Sequence, residues 1–100
     1  MNNKAQFTPG PWFTTSEMRG IGGVKVYGVE TRDRYPIANC GTGKLGMDNA
    51  TLIAAAPVMY ADLRIIRDYL YKLYDDGNMQ AGEYAASLDT TLAQAEGRQV

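Results

Sequence analysis

The chain has no histidine and only one cysteine, Cys40, among its 100 residues. Without an imidazole there is no Cys–His catalytic pair, and a single thiol cannot assemble a thiolate–imidazole zinc set. A lone cysteine also excludes an intrachain disulfide, which suits a reducing compartment. Cys40 is read as a small buried hydrophobe at a strand end. Serine is scarce as well: Ser16 and Ser87 have no base within the composition except lysine. Asp75 and Asp76 are neighbours at a helix end and do not face each other across a substrate. No enzyme is expected, and no metal or cofactor. No apolar run approaches the roughly 20 residues that span a bilayer. The opening "MNNKAQFTPGPW" lacks the apolar centre of a secretion signal. A cytoplasmic protein without membrane contact is expected.

Strong charge of either sign is missing too, since the net charge is −1. Its distribution is uneven: residues 1–47 carry six Lys/Arg and three acids, residues 48–100 four and eight. A nucleic-acid binder shows a denser basic patch, because phosphate neutralisation supplies most of its affinity. Nucleic acid is therefore not the expected partner. Lys25, Arg32 and Arg34 are a minor candidate for an anion or an acidic patch, against the plainer reading of scattered charge on a loop tip.

What is present divides into two halves of one expected domain, β-rich over 1–47 and helical over 48–100. Trp12 to Thr15 reads as a first short strand. "GVKVYGVE" alternates Val24 and Val26 on one face with Lys25, Tyr27 and Val29 on the other, as a strand with one face partly wet does. "YPIANC" is a third strand, with Pro36 at its start or at an edge. The linkers "RGIGG" and "TRDR" are short enough for antiparallel connections. Asp48 is read as the N-cap of a short helix, 49–56. A break follows at Ala56–Pro57, then a helix to about Asp75 that Gly77 ends in a left-handed cap. A third helix is predicted over 81–95. The expected fold is α+β: about three antiparallel strands, packed against a C-terminal helical hairpin.

The long helix carries two parallel rows. Met59, Leu63, Ile66, Leu70 and Leu73 follow a four-three spacing and are predicted to face the core, together with Tyr84, Leu88, Leu92 and Ala95 of the third helix. One position along, Tyr60, Arg64, Arg67, Tyr71 and Tyr74 repeat the spacing. Tyrosine and arginine are enriched at binding hot spots, so this band is the candidate partner-binding face. The plainer alternative is a solvated face with Tyr–Arg stacking and local pairs such as Arg64–Asp68.

Gly41, Gly43 and Gly46 in "CGTGKLG" spell G-x-G-x-x-G between a strand and a helix, as a dinucleotide-binding turn does. That fold needs a second, parallel strand after the helix and an acid about 20 residues on. Position 66 is Ile66, and no strand-like run follows residue 46. The glycines are read as a flexible sheet-to-helix connection.

Two segments carry a resemblance. Thr8, Pro9, Gly10, Pro11 and Trp12, followed by Asn49, Ala50, Leu52 to Ala56 and Pro57, resemble a family of small phage and prophage proteins. Its members open with His-Thr-Pro-Gly-Pro-Trp and carry a central Asn-Ala-x-Leu-Ile-Ala-Ala-Ala-Pro. The family's first histidine is Phe7 here, so a ligand or base at that position is not essential if this member works as its relatives do. The matched residues then look structural, with Pro9-Gly10 in a tight turn and Trp12 as an apolar anchor. The resemblance implies a phage accessory protein in the host cytoplasm. It is expected to act by binding a host protein, such as a component of a defence or regulatory system. The alternative is an oligomer that sequesters a small ligand or nucleotide.

Overall fold

The computed structural model describes residues 7–20 and 22–98. Three strands are followed by three helices: β1 (Trp12–Arg19), β2 (Val24–Thr31), β3 (Pro36–Thr42), α1 (Gly43–Ala54), α2 (Ala56–Asp75) and α3 (Met79–Ala95). The class is α+β. The chain gathers into two compact units, Pro9–Val58 and a second formed from Met59 onward with Phe7 and Thr8.

In the first unit the sheet order is β1-β2-β3, antiparallel throughout. β1 runs four residues further than Thr15, to Arg19, because the connection to β2 is tight enough to keep the strands paired to their ends. Gly20 and Gly23 both take positive φ there, and the Gly23 amide donates to the Gly20 carbonyl at 3.2 Å. At the other end the Arg34 amide donates to the Thr31 carbonyl, with Arg34 itself at φ 66°. α1 packs on all three strands. Val29 and Ala50, 2 % and 0 % exposed, are the apolar centre of this unit.

α1 differs from the sequence expectation. It begins at Gly43, six residues before Asn49, with Thr42 as an N-cap that makes no side-chain capping bond. Asp48 is not a cap; it lies inside the helix and pairs with Lys44 one turn back at 3.0 Å. Asn49 is an exposed helical residue. The early start depends on Gly46, which is buried against β3: a Cβ there would lie 2.6 Å from the Gly41 carbonyl oxygen. Only a residue without a side chain lets the helix lie this close to the strand it has just left. The break between α1 and α2 falls at Ala55, one residue before the expected place, and Pro57 sits in the first turn of α2. Pro57 also lies against Gly10, where a Cβ would come within 2.7 Å of its own. The Pro9–Trp12 segment and the end of the alanine-rich segment thus meet at one contact.

In the second unit α2 and α3 form an antiparallel hairpin. Gly77, at φ 109°, ends α2 as expected: its amide donates to Tyr74 and that of Asn78 to Leu73, which satisfies two terminal carbonyls. Asn78 then caps α3, accepting from the Ala81 amide at 3.0 Å. The buried side of α3 is almost all small, Ala81, Ala85 and Ala93 with Leu92. Leu63, Leu70 and Leu73 of α2 are half-buried, whereas Met59 and Ile66 are 47 % exposed. On α3, Tyr84 is 54 % exposed and Ala95 is exposed. The predicted core stripes are therefore rotated. α2 meets α3 along a line between its two rows, and α3 answers with alanines rather than with Tyr84 and Ala95.

Candidate functional site

The Tyr/Arg row of α2 forms the polar seam of the hairpin, set rung by rung against α3. At the loop end Tyr74 lies flat on Gly82, where a Cβ would enter its ring. One turn back, Asp89 accepts from the Tyr71 hydroxyl and from Arg67 Nη1, the latter at 3.1 Å. Arg67 also reaches Asp68 at 3.0 Å. At the far end the Tyr60 hydroxyl donates to Glu96, which in turn accepts from Arg98 Nε at 2.6 Å. Phe7 meets the Tyr60 ring edge-on with centroids 5.0 Å apart. Four of the five candidate residues thus spend their polar atoms or ring faces on the hairpin itself.

These contacts set the protonation behaviour. The Glu96 carboxyl is held below its ordinary range by the Tyr60 hydroxyl, against the opposing effect of burial, with Arg98 adding to the lowering. Burial and the bond to Glu96 raise Tyr60. Tyr71 is raised by its bond to Asp89 and then by burial. Burial works to lower Arg67, but its bonds to Asp68 and Asp89 outweigh it and the guanidinium is held charged.

Arg64 is different. Its guanidinium stacks over the Tyr60 ring at 5.8 Å and makes no hydrogen bond or ion pair among the described residues. Asp68, the local partner expected for it, is taken by Arg67. Arg64 stands exposed at an open cleft of about 520 Å³ lined also by Arg67, Arg98, Asp89 and Glu96. Two of its three arginines are already paired with carboxylates, so Arg64 is the group in the cleft with bonding capacity to spare.

The other candidates are dispersed. Lys25 lies at the start of β2, and Arg32 just beyond the strand's other end, roughly 20 Å away at strand rise. They form no common basic site. Arg32 stacks on Phe13 at 5.9 Å, and Arg34 approaches Glu30 at 3.8 Å. The open groove on the sheet, about 770 Å³, holds charges of both signs, with Arg19 paired to Glu17. The glycine loop leads from an antiparallel strand into α1, and no parallel strand follows among the described residues. Gly46 there admits the close helix–strand approach described above. Among the described residues no group of three or more side chains is placed to hold a metal ion, and no helix is long and apolar enough to cross a membrane.

A family model described as Salmonella phage P22 protein Y8K6 matches residues 1–99. The chain belongs to that family. No curated protein and no solved structure matches it. Asp89 and Glu96, the partners that organise the seam, escaped the sequence reading. The available signal was their spacing of seven, which sets Asp89 of α3 and the C-cap Glu96 on one helix face two turns apart.

Proposed function

We propose that this phage protein acts without catalysis, by binding a host protein, and that Arg64 with the cleft beside it receives an acidic side chain of that partner. The observation that carries the reading is the exposed, unpaired guanidinium of Arg64, fixed in direction by the Tyr60 ring next to paired Arg67 and Arg98. A guanidinium held on an aromatic face loses little freedom when it forms a two-pronged bond to a carboxylate, so the contact suits recognition. For a member of a phage family, the class of target proposed is a host protein, such as a component of a defence or regulatory system.

The test begins with capture of partners from a host lysate on the immobilised chain. The purified partner is then titrated against the wild type, Arg64→Glu, and Lys44→Glu in the other unit. Arg64→Glu is expected to weaken binding by about tenfold or more, because it sets like charges face to face. Lys44→Glu should leave affinity unchanged. Equal affinities for wild type and Arg64→Glu would refute the reading. A thermal shift with nucleotides and no captured protein would favour the sequestering alternative.

A further inference from the structure

The side of α2 turned away from α3 carries a row that no described residue covers: Asp62, Ile65, Tyr69 and Lys72. Ile65 is 67 % and Tyr69 61 % exposed, and Asp62 and Lys72 are exposed as well. Neither the Asp62 carboxylate nor the Lys72 ammonium makes a hydrogen bond or ion pair among the described residues. The row reads three, four, three, which is the a-d-a-d spacing of a short coiled coil. It is also symmetric about position 67. When two such helices pair antiparallel, each a position meets a d position of the other. Ile65 then meets Tyr69 of the second copy, and Asp62 meets its Lys72, each contact occurring twice.

We propose that this face of α2 is a self-association surface, occupied by the same face of a second copy in antiparallel, two-fold symmetric contact. Charge complementarity selects this occupant: an apolar centre flanked at one end by an acid and at the other by a base matches its own reverse. In the parallel arrangement Asp62 would meet Asp62 and Lys72 would meet Lys72, which repel. Four layers of side chains make a small interface, so the dimer is weak and concentration-dependent rather than obligate. Arg64 lies outside the four layers, and the inference does not depend on the proposed host contact.

Sedimentation of the full chain over a concentration series tests it, with helicity checked for every variant. The wild type is expected to pass from monomer to dimer. Asp62→Lys or Lys72→Asp alone turns two attractive contacts into two repulsive ones and should weaken association by about tenfold. The double exchange D62K/K72D restores the complementary pattern and should recover the dimer. A wild type that stays monomeric up to about 1 mM would overturn the proposal. So would single exchanges without effect, or a double exchange no better than either single one.

Discussion

Gly46→Ala sets two effects of opposite sign against each other at one position. At the fourth residue of the 12-residue α1, replacing glycine by alanine gains at most about 1 kcal/mol, since the unfolded chain loses freedom. The structure opposes that gain. The new Cβ would stand 2.6 Å from the carbonyl oxygen and 2.7 Å from the carbonyl carbon of Gly41, and 3.1 Å from the oxygen of Cys40. All three are backbone atoms of β3 and its end, so no side-chain rotation relieves the contact and α1 must move off the strand. Overpacking of this kind costs about 1–3 kcal/mol, and rigid backbone neighbours place it at the upper end. The net expectation is a loss of about 2 kcal/mol, or about 10 °C in melting temperature for a chain of this size. Urea denaturation followed by circular dichroism measures it. An unchanged or raised midpoint would refute the claim that close helix–strand approach is what this glycine provides.

Other outcomes follow from the same contacts. Gly10→Ala drives a Cβ to 2.7 Å from that of Pro57 and should cost about 1–3 kcal/mol in thermal melts; no loss would separate the two family segments. Asp89→Ala removes the acceptor of Tyr71 and one of the two carboxylates that hold Arg67. With Asp89 44 % exposed, solvent screening holds the loss to about 1 kcal/mol by urea denaturation, and an unaltered midpoint would contradict the seam. Because the Glu96 pKa is depressed in the fold, its contribution is present above the ordinary glutamate value of about 4.3 and is lost as pH falls through the lower folded value. Stability of the wild type should therefore fall more steeply on acidification than that of Glu96→Gln, and parallel curves would count against the Tyr60–Glu96–Arg98 arrangement.

Much of the fold is written in local pattern. The alternation of Val24 to Val29, the glycine stop at Gly77 and the Pro57 position each specify backbone geometry through one or two residues, and the elements lie close to where those signals put them. The facing of α2 is another matter. Two rows with the same four-three spacing lie one residue apart, so periodicity cannot choose between them; the partners from the other helix decide, Gly82 admitting Tyr74 at close range and Asp89 and Glu96 accepting from the Tyr71 and Tyr60 hydroxyls. The start of α1 was hidden for a similar reason. Asp48 has the chemistry of a cap, but its carboxylate is engaged by Lys44, and the tolerance of β3 for a helix at contact distance is a tertiary property of Gly46. For the site, residue type singled out Tyr60, Arg64 and Arg67. Which of them remains available depends on Asp89 and Glu96, which arrive from another helix.

A photo-crosslinking amino acid placed at position 64, and in a second variant at position 69, tests the central claim most directly in host cells expressing the protein. From position 64 a crosslink to one host protein is expected, and from position 69 a crosslink to a second copy of the chain. Capture of the same host protein from position 44 with equal yield, or no host protein from position 64, would contradict binding through Arg64.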